Sequence, residues 1–374
     1  MEFRLIIKKI NNNLTPEEEI VFSKWYQESE HHKRYFENVK TNYNADSLNI
    51  NLEGEWKRLQ KSIKPKSSKN IYWKFAVAAS VACFFAVSIY FNSKNKPSLI
   101  EPVIVDNQIL TGTDKAVLTL GDGSFVELEK GKLYETEYVK SDGEELVYSS
   151  GTEGGNLEYN YLTIPRGGQF TLSLSDGTQV WLNSDSQLKF PVAFLNNQDR
   201  EVELVYGEAY FEVTPSSQNN GSKFVVSNTN QKIEVLGTGF NVKAYKDETF
   251  IYTTLVHGKV QVAYEEYNQI LMPGQQSTIN LVKENLAIAD VDIEPEISWK
   301  EGIFSFDGKS LKDIMKVLSR WYDFDIVFEN KKIMDEQFVG VLGRDQTIVD
   351  VLKSIKNYGL ITNFKIEGKL ITIE

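Results

Sequence analysis

The sequence predicts a multidomain chain: a small all-α N-terminal domain, one transmembrane helix, a mainly antiparallel β middle domain, and an α+β C-terminal domain built on a βαβ repeat. Three observations predict it. Residues 75–91 read FAVAASVACFFAVSIYF without a charge. Beyond Pro97 apolar and polar residues alternate with a period of two, punctuated by Asp-Gly pairs. From Ile303 that alternation is broken twice by stretches of helical period. The expected boundaries are 1–70 for the helical domain, 71–91 for the membrane segment, 92–160 for a linker and β segment, 161–295 for the β domain and 296–374 for the C-terminal domain.

A chain of 374 residues exceeds what one hydrophobic core usually organises. Its net charge of -11 argues against a nucleic-acid binder, which would carry a basic stripe. The acidity is uneven: residues 1–70 are slightly basic, and the chain after Phe91 is strongly acidic. Cys83 stands alone, which excludes an intrachain disulfide and a thiolate metal cluster. His31, His32 and His257 read as surface or turn residues, so no metal and no cofactor are expected.

In the N-terminal segment Thr15-Pro16-Glu17-Glu18 reads as a helix start, with Thr at N-cap, Pro at N1 and Glu at N3 closing a capping box. Ile20, Val21, Phe22, Trp25 and Tyr26 follow on one face, Tyr35, Phe36 and Val39 on a second helix, and Leu52, Trp56, Leu59 and Ile63 on a third. These aromatics either pack on one another or offer a face to a partner. The apolar run from Ile71 to Phe91 meets the length of about 20 residues that a helix needs to cross a bilayer. Lys57, Arg58, Lys61, Lys64, Lys66 and Lys69 precede it and Lys74 lies a turn inside it, which places the N-terminus inside by the positive-inside rule. The expected arrangement is therefore a membrane crossed once, with membrane lipid as a partner.

In the β region, residues 117–128 and 172–182 form an internal repeat, each a hairpin around an Asp-Gly turn, so Asp122 and Asp176 are turn residues. Glu201, Glu203, Glu208 and Glu212 alternate with Val202, Leu204, Ala209, Phe211 and Val213. That puts most of them on a solvated strand face and argues against a paired-carboxylate enzyme. Further strands are expected at 224–226, 233–236, 240–245, 250–256 and 259–264. In the C-terminal domain, helices at 311–321 and 348–358 alternate with strands at 303–306, 325–328, 338–342, 361–366 and 370–373. The pattern implies helices packed against one sheet.

Several stretches resemble the FecR family of anti-sigma factors in the form common in Bacteroidetes: IPRGGQ at 164–169, LSDGTQVWLN at 174–183, GEAYFEV at 207–213, VLGTGFNV at 235–242 and LVHGKV at 255–260. The end of the chain, with GIFSF at 302–306 and LSRWY at 318–322, resembles the domain of unknown function that follows FecR domains there, similar to the signalling domains of TonB-dependent transducers and secretins. The resemblance implies that the membrane is the inner membrane and that the chain is a single-pass regulator that binds an extracytoplasmic-function sigma factor in the cytoplasm and senses a TonB-dependent outer-membrane transducer from the periplasm. It implies a candidate sigma-binding face at Phe22, Trp25, Tyr26 and Trp56, and a possible self-cleavage bond at Gly237-Thr238, where a Thr hydroxyl would attack the preceding carbonyl. A tight turn between strands explains Gly237-Thr238 equally directly and is the preferred reading. A membrane-anchored adhesion or assembly module without sigma binding is the alternative function.

Overall fold

The computed structural model describes residues 3–10, 14–28, single positions between 33 and 40, then 103–105, 107–149, 158–229 and 231–374. Among the described residues strand, at 46%, outweighs helix, at 20%. That corrects the expected fold class. Among the described residues no helix is long and apolar enough to cross a membrane, and residues 71–91 lie outside them. The all-α N-terminal domain is likewise not supported. Two short helices are described, α1 (Phe3–Ile10) and α2 (Pro16–Glu28), and α1 carries no cap signal in the sequence. Among the described residues they share a small core of Ile6, Phe22, Trp25 and Phe36. The start of α2 is as expected: Thr15 N–H donates to Glu18 Oε2 at 3.0 Å and Glu18 N–H donates to Thr15 Oγ1 at 3.3 Å, a reciprocal capping box.

From β2 (Thr113–Thr119) to the Asn285–Asp290 strand the described residues form one continuous network of 18 strands, nearly all paired antiparallel. β2 pairs with β3 (Phe125–Glu129), and the Gly168–Ser173 strand pairs with Gln179–Leu182, as the repeat predicts. In both turns the glycine takes the left-handed conformation, φ +86° at Gly123 and +83° at Gly177, which only glycine adopts without strain. The long Arg200–Glu212 strand pairs through its first half with Ser186–Pro191. Its second half pairs with Gln179–Leu182 and Gly239–Ala244. One strand thus passes from one face of the body to the other. Its interior is apolar, with Leu118, Leu162, Leu172, Leu188, Phe211 and Phe240 all fully buried or nearly so.

The C-terminal module has its own core, in which Leu311, Ile314, Leu318, Val351, Leu352 and Ile355 of the two helices meet Phe364, Ile366 and Ile371. Its helices, Leu311–Tyr322 and Ile348–Asn357, start on Ser310 and Thr347, whose hydroxyls cap them. The single sheet expected here is replaced by two. Ile303–Ser310 pairs with Gln337–Gly343 as a separate antiparallel ribbon. Asp325–Phe328, Leu370–Ile373 and Phe364–Glu367 form the other sheet, completed by β1 (Val103–Val105), which comes from the far side of the body in sequence. Local periodicity carries no information about which strands pair, so neither the division nor the borrowed strand is visible in it.

Candidate functional site

The β body and the C-terminal module meet along a seam of buried polar groups. Where the Arg200–Glu212 strand changes partners, residues 208–211 are buried in succession, because both of its faces are then indoors. Glu208 falls in that stretch and is 8% exposed. Its carboxylate accepts hydrogen bonds from Asn183 Nδ2 at 2.8 Å and Asn241 Nδ2 at 3.0 Å. Burial raises its pKa, and Lys243 and the two amides only partly oppose this.

Arg344, just past the Gln337–Gly343 strand, enters the seam from the other module and is 3% exposed. It donates from Nη1 to the Trp299 carbonyl at 2.8 Å and from Nη2 to Asn183 Oδ1 at 3.1 Å. Its guanidinium lies over the Trp321 ring, 3.6 Å from the centroid, and the indole N–H donates back to the Arg344 carbonyl at 2.9 Å. Burial pushes the Arg344 pKa down to about 10. Asn183 therefore joins the modules, with its amide N–H on Glu208 and its amide oxygen on Arg344.

Around this centre runs an ionic ring. Arg320 of the Leu311–Tyr322 helix pairs with Glu248 at 2.7 Å and Asp247 at 2.6 Å and stacks on Tyr245 at 3.6 Å. Lys243 reaches Glu248 at 3.0 Å, and the Tyr245 hydroxyl donates to the Ser184 carbonyl at 3.1 Å. Arg166 donates to the carbonyls of Ser319 and Phe324 and pairs with Asp323 and Asp325. A cavity of about 480 Å³ opens beside the seam, lined by Glu208, Lys243, Trp299, Phe304 and Lys309 among others. The one deeply buried carboxylate of the four in the Glu201–Glu212 stretch is held by amides, not set opposite a second carboxylate. This is the chemistry of a coupled interface.

Of the residues singled out from sequence, Phe22, Trp25 and Tyr26 are brought together, but inward. Phe22 packs on Trp25, Tyr26 and Phe36 with ring centroids 5.9, 5.7 and 5.1 Å apart, around Ile6. Ile20 and Val21, on the same helix, are 72% and 53% exposed. Trp56 lies outside the described residues. Gly237-Thr238 forms a corner between the Lys232–Val235 and Gly239–Ala244 strands. Gly237 has φ +146°, and Thr238 is 1% exposed. The Thr238 hydroxyl donates to the Lys259 carbonyl at 3.0 Å, and the Thr238 carbonyl accepts from Val213 N–H at 3.1 Å. His257 faces solvent and meets Glu212 at 2.9 Å.

Sequence reasoning missed Arg320 and Arg344, left Glu208 undistinguished among four strand carboxylates and treated Asp176 as a turn residue alone. Asp176 does close its turn on Thr178, but its carboxylate also pairs with Arg200 at 2.6 Å, both side chains being almost fully buried. The available signal was a charge lodged in an apolar stretch: Arg320 between Leu318 and Trp321, and Glu208 between Gly207 and Ala209, whose small size marks a crowded crossing.

Residues 160–261 match the family model described as FecR protein, and residues 303–373 match that described as FecR, C-terminal. Two crystal structures of a protein provisionally assigned as an anti-sigma factor, from Parabacteroides distasonis ATCC 8503, resemble the chain. Each does so at TM-score 0.52 and 26% identity, over 57% of this chain and 98% of theirs. No curated protein matches the chain.

Proposed function

The chain belongs to the FecR family, whose two domains it carries in order, and on that premise we propose that it is an anti-sigma factor controlled by its own β body and C-terminal module. The observation that carries this reading is the pairing of the two FecR domains in one chain, together with a likeness that spans nearly the whole of an assigned anti-sigma factor. In finer terms, the N-terminal helices hold an extracytoplasmic-function sigma factor through the exposed Ile20 and Val21, on the scaffold of the Phe22, Trp25 and Phe36 cluster. The C-terminal module receives the signalling domain of a TonB-dependent outer-membrane transducer, and the buried seam couples that event to the body. No catalytic step is needed, and Gly237-Thr238 serves as a strand corner, its hydroxyl already engaged by Lys259. The location that goes with this reading is the inner membrane, with residues 1–70 cytoplasmic and the β body periplasmic. The acidic composition after Phe91 and the basic flank before Tyr72 support it.

Affinity purification of the full chain from its own cells tests the reading. A sigma factor should co-purify, and an Ile20→Asp, Val21→Asp double variant should lose it while the C-terminal module stays folded. Recovery of the chain with no sigma factor would overturn the proposal. For the corner, appearance of two fragments in the parent that vanish in Thr238→Ala would replace the structural role with self-cleavage.

A further inference from the structure

The chain enters the described body through a segment that belongs spatially to the other end of the molecule. β1 lies parallel to the Phe364–Glu367 strand, with Val103 opposite Lys365, Ile104 opposite Ile366 and Val105 opposite Glu367. Gly368 N–H donates to the Val105 carbonyl at 3.1 Å. Ile109, at 7% exposure, is inserted into the C-terminal core. Gly112 then passes so close to Trp321 that a Cβ there would sit 2.6 Å from the indole, and Thr113 N–H donates to the Gly167 carbonyl as β2 begins. Residues 103–105 and 107–112 therefore run as a strap across the C-terminal module.

The strap is lightly held at its strand end. Only three residues pair, and the apolar side chains of Ile104 and Val105 stay 43% and 51% exposed. In the order of that sheet β1 is a terminal strand, so its departure uncovers the whole edge of Phe364–Glu367. A bare edge is a template for another strand, because its N–H and C=O groups then lack partners. The strap itself records what the edge takes: an extended segment in parallel register, followed by an aliphatic residue that fills the Ile109 site.

We propose that residues 103–112 are a detachable strap and that the Phe364–Glu367 edge beneath them is the docking site for an extended strand of a partner protein, which pairs where β1 pairs now. Exchange frees the stretch of chain that leads back toward the N-terminal helices, so binding at the C-terminal module changes the chain at its other end without any movement of the β body. The proposal rests on the regulatory reading for its purpose, but its test involves no sigma factor, so the two can fail separately.

A fluorescent peptide of residues 101–112 serves as the probe, titrated into the full-length chain carrying Cys83→Ser. Val105→Cys with Glu367→Cys, which are register partners, can be oxidised to pin the strap. The peptide should bind the Ile109→Asp variant about tenfold or more tightly than the parent, fail to bind the oxidised double-cysteine variant, and bind it again after reduction. Hydrogen exchange at the Gly368 amide should accelerate in Ile109→Asp and slow in the oxidised form. Equal binding to the oxidised and reduced forms would overturn the proposal. So would loss of the C-terminal fold in Ile109→Asp, which would make the segment a fixed part of the core.

Discussion

Two buried arginines show how differently the β body and the junction are built. Arg200, 2% exposed, lies inside the body with a carboxylate of its own: Asp176 at 2.6 Å, with the Thr214 hydroxyl and the Thr214 and Ser222 carbonyls completing its contacts. Arg344, 3% exposed, lies where the modules meet and has no carboxylate within ion-pair distance among the described residues. Its partners are a backbone carbonyl, the amide oxygen of Asn183 and the face of Trp321. A buried charge closed on its counter-charge cannot be opened without stranding both. One satisfied by neutral groups can exchange them for water when the interface parts, at the small net cost of ordinary hydrogen bonds. Arg200 is thus made to stay closed and Arg344 to be released, while Arg320, paired with Glu248 and Asp247, is the junction's own charge-closed contact.

The largest effect that would sharpen this contrast is expected at Asp176. Asp176→Ala leaves the Arg200 guanidinium buried without its counter-charge and should cost about 3–5 kcal/mol, read as a lower denaturant midpoint for the body. Arg344→Ala should cost less, about 2 kcal/mol from two hydrogen bonds and a cation–π contact. It should also act elsewhere, letting the C-terminal module unfold as a separate, earlier transition. If Arg344→Ala lowered the body's own midpoint as far as Asp176→Ala does, the distinction between closed and separable arginines would fail.

A third test uses pH at the seam. Because burial raises the Glu208 pKa, its contribution to stability is present in full below the unfolded value of about 4.3 and is lost as pH rises through the folded value. Glu208→Gln carries no such loss. Whatever constant offset the exchange of oxygen for an amide introduces, the melting temperature of the variant relative to the parent should therefore rise from pH 4 to pH 8. A relative melting temperature that falls over that interval would mean that Lys243 and Arg344, not burial, dominate the carboxylate.

How far the sequence reveals these features depends on whether the physics involved is local. The hairpins at 113–129 and 168–182, the capping box at Thr15, and strands such as Asp325–Phe328 and Leu370–Ile373 are legible, since turn chemistry and periodicity act within a few residues. Pairing partners are not. Nothing near Val103 says that it will join a strand 262 positions later at Lys365, and nothing near Arg344 points to Asn183. Period-two alternation put most of the four glutamates of the 201–212 stretch on a solvated face without telling Glu208 from the rest, because it assumes that one face of a strand is solvated throughout. The Arg200–Glu212 strand violates this where it changes partners. The fold class was overextended for a similar reason, as hydropathy was made to stand for a helix that the described residues do not contain.

The smallest expected effect comes from the twin of the first residue tested. Asp122 occupies the same place in its Asp-Gly turn as Asp176, accepting from Ser124 N–H at 2.8 Å and Ser124 Oγ at 2.6 Å, as Asp176 does from Thr178 at 3.0 and 2.8 Å. What it lacks is a buried arginine, for its carboxylate is open to water. Asp122→Ala should therefore remove a turn contact that solvent partly replaces, and it should shift the melting temperature far less than Asp176→Ala. The bonds from Ser124 hold the Asp122 pKa below its ordinary value. Its small contribution is thus present above the unfolded value near 3.9 and disappears as pH falls through the folded one. The gap between parent and variant should accordingly close on acidification. Equal losses at Asp122 and Asp176 would show that the turn, and not the arginine behind it, is what Asp176 stabilises.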